Sequence, residues 1–188
     1  EEIGHEVLVG NARKLRVIWD SDEKGDDRDA EMLARIARVD PKLLHPIHHR
    51  GHEAQCDLAI IKARDILVKA RTLLISHARG TVKTSGSRIS SCGADTFHRR
   101  LDDELPEELE SALEPVAKTI EDLTERIRAY NKLIGKISQE KYPETQALRA
   151  VCGVGPVTSL AYVLTLEESN RFETSRSVGP FLGLVPKR

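Results

Sequence analysis

Aromatic residues are scarce in this sequence: 4% of 188 positions, with one Trp, three Tyr and three Phe. That argues against an aromatic-rich β-sandwich or barrel and leaves a helix-rich chain as the expectation. Cysteine is nearly absent as well. Cys56, Cys92 and Cys152 are odd in number and far apart, so no disulfide framework is expected and a reducing, cytosolic setting fits. No apolar run approaches the roughly 18 residues a membrane span needs, and no N-terminal stretch has the basic-then-apolar order of a signal peptide. Methionine occurs once, at Met32 inside a helical pattern, and the sequence begins at Glu1, which reads as a piece of a longer protein.

What is present is charge, at 31% of residues, and it is segregated beneath a formal net charge of −1. Residues 1–49 carry 8 Lys/Arg against 11 Asp/Glu, and residues 50–100 carry 10 against 4. Residues 101–125 carry 1 against 10, and residues 126–188 carry 10 against 5. Two basic blocks in a near-neutral chain are compatible with a polyanionic partner. On charge alone, solvated helix faces that pair with the acidic block are the simpler reading.

The pattern divides the chain into three regions: 1–47, 48–142 and 143–188. His5 to Val9 alternates and stops at Gly10-Asn11, which reads as a strand and turn. Leu15 to Trp19 fits a second strand or a short helix. From Asp29 the period becomes helical, with Met32, Leu33, Ile36 and Ala37 on one face, until Asp40-Pro41 ends it. His49 to about Arg79 reads as a long helix with Leu58, Ile61, Val68 and Ile75 on one stripe and Ile60, Leu67 and Leu74 beside it. Residues 80–105 read as a loop. A second long helix is expected from about Pro106 to Ser138. Leu109, Leu113, Val116, Ile120, Leu123, Ile127, Tyr130, Ile134 and Ile137 recur in alternating steps of 4 and 3, a heptad seam that Pro115 kinks or starts. Together these predict an antiparallel coiled-coil hairpin.

Three constellations are candidates for chemistry. Asp26 and Asp29, at i and i+3 before a helix, present two carboxylates one way and suit a shared Mg²⁺; the alternative is that they only favour the helix N-terminus. Leu148 to Leu160, centred on Gly153-Val154-Gly155-Pro156, reads as a helix-hairpin-helix. Its Gly153, Val154, Gly155 and Thr158 lie where backbone N–H groups and a helix N-terminus meet a phosphate; a plain helical turn is the other reading. His45, His48, His49 and His52 fall within eight residues, but Pro46 breaks any common face, so a solvated connector is expected rather than a metal site. No Gly-x-Ser-x-Gly, phosphate-loop Lys or Cys–His pair marks a nucleophile.

Lys24-Gly25-Asp26-Asp27-Arg28-Asp29-Ala30-Glu31-Met32-Leu33-Ala34 resembles the Lys-Thr-Asp-x-x-Asp-Ala-x-x-Leu-Ala segment of the DEDD-type transposases of the IS-one-ten (IS110/IS116/IS902) insertion-sequence family. Gly4-His5-Glu6-Val7 is similar to the approach to that segment. Leu148 to Leu160, Arg171-Phe172, Ser175-Arg176 and Phe181-Leu182-Gly183-Leu184-Val185-Pro186 resemble the family's C-terminal domain. The order of these blocks agrees across nearly the whole chain.

The resemblance implies a mostly α protein. It would hold the C-terminal part of an α/β RuvC-like (RNase H-type) domain at 1–47, a dimerising coiled coil at 48–142 with a loop at 80–105, and the start of a transposase domain at 143–188. It implies a bacterial, cytoplasmic DNA recombinase that cuts and rejoins DNA, with a structured guide RNA, DNA and further copies of the chain as partners and no membrane. Asp26 and Asp29 then stand where the last two carboxylates of a four-acid Mg²⁺ site stand and would be catalytic. Gly153, Val154, Gly155, Thr158, Lys187 and Arg188 would contact nucleic acid. Ser159 is not the family's nucleophile. The family's first Asp and Glu precede a segment like Glu1-Glu2-Ile3-Gly4, and its serine follows Leu-Val-Pro, so an inactive internal fragment is expected. The competing expectation is a non-catalytic nucleic-acid-binding and dimerisation module. A RuvC-like junction nuclease would fit the Asp pair but not the C-terminal blocks.

Overall fold

The computed structural model describes residues 4, 7–12, 14, 15, 25–47 and 51–184. They form two compact units, 1–50 and 51–188.

In the first unit, α1 spans Asp26–Val39. The Gly25 carbonyl accepts from the N–H groups of Arg28 and Asp29, and Asp26, Asp27 and Asp29 place negative charge at the positive end of the helix dipole. Glu31 and Arg35 pair at i, i+4. A 3₁₀ turn at Pro41–Leu44 follows, with the Asp40 carboxylate accepting from the Lys42 N–H at 2.9 Å.

The α/β RuvC-like piece expected at the N-terminus is overturned here. The described residues form seven α-helices and no strand. The one β-type pairing is an isolated bridge between Gly10 and Pro46. A strand persists only where successive N–H and C=O groups find a continuous partner. Val7, Leu8 and Val9 have none: a single Ile47 N–H reaches the Val9 carbonyl, and all three side chains are exposed. His5, Glu6 and the segment 16–19 lie outside the described residues.

The second unit is built on two long helices, α2 (His52–Thr84) and α4 (Glu110–Glu140). They run antiparallel: Asp57 meets Lys141, Arg64 meets Asn131, and Arg71 meets Thr124. The row that α4 buries is Leu113, Ala117, Ile120, Thr124, Ile127, Ile134, Ile137 and Ser138. Leu109, Val116, Leu123 and Tyr130, the other half of the apolar seam, are half-buried. The helix continues through Pro115. Glu110, Glu114, Glu121 and Asp122 stand in its first half and Arg126, Arg128, Lys132 and Lys136 in its second, an order the helix dipole favours.

The loop expected at 80–105 is also corrected. The first long helix continues to Thr84, and a further helix, α3, spans Phe97–Glu104. Phe97 and Leu101, four residues apart, are wholly buried against Ala78, Val82, Leu113, Ala117 and Ile120. Burial of this two-residue face stabilises a helix too short to persist alone.

At the other end of the hairpin, α5 (Thr145–Arg149) and α6 (Pro156–Leu166) pack back onto the long helices. Leu160 and Leu164 join Ala54, Ile61, Ile134 and Ile137 in a second apolar cluster. Beyond it, α7 (Val178–Phe181) sets Phe181 edge-on to Phe172, with ring centroids 5.2 Å apart. No helix among the described residues is long and apolar enough to cross a membrane.

Candidate nucleic-acid interface and carboxylate pair

The turn between α5 and α6 is fixed from below. Thr145 is wholly buried; its hydroxyl donates to the Tyr142 carbonyl at 2.7 Å and shares a hydrogen bond of 2.8 Å with the Ser138 hydroxyl. Tyr142 in turn donates to Asp57 Oδ2 at 2.9 Å. Asp57 is 4% exposed and also accepts from Lys141 Nζ at 3.2 Å, while Lys141 pairs with Glu53 at 2.8 Å. Hydrogen bonds to Glu53 and Asp57 hold the Lys141 ammonium above its ordinary range, and burial with the bond to Asp57 pushes the Tyr142 phenol up to about 12. This polar clamp ties the first turn of α2 to the last turn of α4 and to the segment that enters the turn.

The turn itself faces outward. Val154 N–H closes it on the Val151 carbonyl at 3.1 Å. Gly153 has φ +86, the left-handed region that suits glycine. Gly155 has an ordinary φ of −91, and a Cβ there would meet nothing within 4 Å. The protein's own packing thus makes no demand for glycine at 155, whereas close approach of an outside group would. Pro156 stands at the first helical position, so α6 begins with N–H groups that lack intrahelical partners. Thr158 is exposed on this first turn. Ser159 is buried, and its hydroxyl donates to the Gly155 carbonyl at 3.0 Å, which commits it to the turn. Gly153, Val154, Gly155 and Thr158 are therefore brought together in one turn. Lys187 and Arg188 lie outside the described residues.

Asp26 and Asp29 share the first turn of α1, Asp26 exposed and Asp29 half-exposed. Two carboxylates on one helical turn fit one edge of a hard cation's oxygen shell. No group of three or more acidic, His or Cys side chains suited to a metal ion occurs among the described residues. The fit to Mg²⁺ is partial: two carboxylates supply only part of the oxygen shell such a cation takes. Of the histidine cluster, His45 is exposed with φ +46 and His52 begins α2; His48 and His49 lie outside the described residues.

Several polar side chains were missed because they occupy positions of the apolar row. Ala54, Asp57, Ile61, Arg71, Ala78 and Val82 are the residues α2 buries. Arg71 reaches Asp95 Oδ1 at 2.5 Å and the Thr124 hydroxyl at 3.2 Å, and Arg128 reaches the Asp95 carbonyl at 3.4 Å. Arg79 donates to the Ile89 carbonyl at 3.2 Å and lies over the Phe97 ring. The 85–96 connection is thus held down by arginines, which removes part of the basic block of 50–100 from any outside partner. Their signal in the sequence is the heptad step of 3 and 4 that Asp57 and Arg71 share with Ile61 and Ala78.

Residues 145–188 match the sequence profile of the family described as Transposase IS116/IS110/IS902 family. The chain is 27% identical over 172 residues to the "Transposase for insertion sequence element IS1111A" of Coxiella burnetii, covering 88% of this chain and 46% of that protein. It is 24% identical over 193 aligned positions to the "Probable family 20 transposase" of Pseudomonas aeruginosa, covering 100% of this chain and 56% of that protein. The chain spans about half the length of these curated relatives. No solved structure matches it. Residues 145–188 therefore carry the segment that resembles the IS116/IS110/IS902 transposase family, and the chain as a whole is distantly similar to transposases over most of its length.

Proposed function

We propose that this chain is part of a transposase that binds DNA and, in its complete form, cuts and rejoins it as an insertion sequence moves. The observation that carries this reading is the outward turn 153–158, which lies in the segment shared with the family and offers glycine backbone, free helix N–H groups and Thr158 to a phosphate. Lys187 and Arg188 are further candidates for nucleic-acid contact by their charge. Asp26 and Asp29 contribute two carboxylates to a Mg²⁺ site, a structured guide RNA and further copies of the chain are partners, and the bacterial cytoplasm is the setting. In this reading the 188-residue chain binds DNA but does not cleave it.

Thr158→Glu places a carboxylate where the phosphate would sit. Loss of one such charge-assisted contact is expected to weaken binding to duplex DNA about 10- to 100-fold. Fluorescence anisotropy across a salt series reads this, and the melting temperature should stay within a degree or two because Thr158 is exposed. Unchanged affinity would remove the turn from the interface. Cleavage of element-end DNA by the chain with Mg²⁺ would refute the non-cleaving part.

A second reading, a nucleic-acid-binding and self-associating module without catalysis, is favoured by the acidic first turn of α1, which the helix dipole alone explains. Asp26→Asn with Asp29→Asn separates the two readings: a loss of Mg²⁺ affinity by calorimetry supports the metal site, and no change supports the module.

A further inference from the structure

His52 and Cys56 stand four residues apart on the first two turns of α2, both exposed, with Cys56 Sγ 3.7 Å from His52 Nε2. Residues at i and i+4 share one helix face, the spacing by which paired histidines on a helix hold zinc. At 3.6 residues per turn this face points away from α4, because Ala54, Asp57 and Ile61 lie on the other side and are buried. The nearby carboxylates are committed. Glu53 and Asp57 both hold Lys141, and Glu167 accepts from the Gly51 N–H at 2.6 Å. Ala59, next along the face, is exposed and short, which leaves the approach to the pair open. His52 closes the histidine run that reads as a solvated connector. Cys56, one helical turn on, gives it the thiol that the run itself lacks.

We propose that His52 Nε2 and Cys56 Sγ bind a borderline-soft divalent cation, Zn²⁺ by the chemistry of the donors, as a two-donor surface site. The separation of the two atoms carries the assignment. Zinc takes sulfur at about 2.3 Å and imidazole nitrogen at about 2.0–2.1 Å, so two such donors on a tetrahedral centre stand about 3.5 Å apart. A gap of 3.7 Å corresponds to an angle of about 115° at the metal, close to tetrahedral. The pair is therefore set for the cation without a change of backbone. On binding, the Cys56 thiol releases its proton to solvent and the thiolate takes the metal. Thiolate and imidazole favour zinc over Mg²⁺, which takes oxygen donors, so this site is chemically separate from Asp26 and Asp29. Among the described residues no third His, Cys, Asp or Glu joins the pair, and the remaining positions on the metal fall to water or to a donor from outside.

The test uses the full chain carrying Cys92→Ser and Cys152→Ser, kept reduced with a phosphine that does not bind metal. Competition with a chromophoric chelator gives the Kd for Zn²⁺, and Co²⁺ in its place should show a thiolate-to-metal charge-transfer band. Cys56→Ser should abolish that band. Cys56→Ser and His52→Ala should each weaken Zn²⁺ binding at least about 10-fold. Both side chains are exposed, so the melting temperatures of the variants without metal should match that of the parent. Zn²⁺ should raise the melting temperature of the parent and not of the variants, because the cation binds a geometry that only the folded helix holds. Zn²⁺ affinity that survives either substitution, or a Co²⁺ complex without the thiolate band, overturns the site. So does a parent chain that binds no Zn²⁺ at about 100 μM cation.

Discussion

Phe97→Ala is expected to lower the stability of the helical unit by about 3–5 kcal/mol, a fall in melting temperature of roughly 10 °C. The ring is wholly buried among Ala78, Val82, Leu101, Leu113, Ala117 and Ile120, with the Arg79 guanidinium 4.9 Å above its centre. Truncation loses the transfer energy of the ring, leaves a cavity that two long helices cannot collapse into, and removes the cation–π contact. The damage should be local in hydrogen exchange. Amides of 85–104 lose protection first, because α3 has eight residues and no other buried face than Phe97, His98 and Leu101. Phe97→Leu, which keeps most of the volume, should recover more than half of the loss. Full protection of 85–104 in Phe97→Ala would show that the arginine contacts of Arg71, Arg79 and Arg128 hold that segment without the ring.

Asp57→Ala is expected to cost about 2–3 kcal/mol, since it leaves the Tyr142 hydroxyl in a half-buried place without its acceptor and takes one partner from Lys141. The same clamp predicts an alkaline limit. Tyr142 and Lys141 both bind their protons more tightly folded than unfolded. Groups of that kind contribute stability that is complete below their unfolded pKa and is lost as pH climbs toward the folded one. Stability should therefore hold up to about pH 10 and decline toward pH 12. Thermal melts across that range check it. Tyr142→Phe should lower stability at pH 8, where the phenol bond is lost, and flatten the decline above pH 10. A decline of equal slope in Tyr142→Phe would assign the alkaline loss to other groups.

The family resemblance rests on short blocks that are legible residue by residue: the acidic run Asp26-Asp27-Arg28-Asp29 and the Gly153-Val154-Gly155-Pro156 turn. Glycine and proline dictate backbone geometry locally, and acids favour a helix N-terminus wherever one starts. The long helices were legible for a similar reason, since a heptad row such as Leu113, Ile120, Ile127 and Ile134 is a pattern one element writes by itself. His5 to Val9 shows the opposite case. Its alternation is a strand's, but a strand is a property of two segments, and among the described residues Val7, Leu8 and Val9 find only the single Ile47 N–H to Val9 carbonyl bond beside the isolated Gly10–Pro46 bridge.

By itself, then, the sequence determined the two long helices, where the glycine turn falls, and how the acidic and basic blocks order along the chain, because each depends on residues within a turn or two of one another. Only the tertiary structure decided that Phe97 and Leu101 make a helix of a segment that reads as loop, that Asp57 and Arg71 are core members rather than surface charges, and that Ile66 and Leu73 stay outside. Those outcomes depend on which face of α2 meets α4, a choice made by the summed burial of both helices and visible in neither alone.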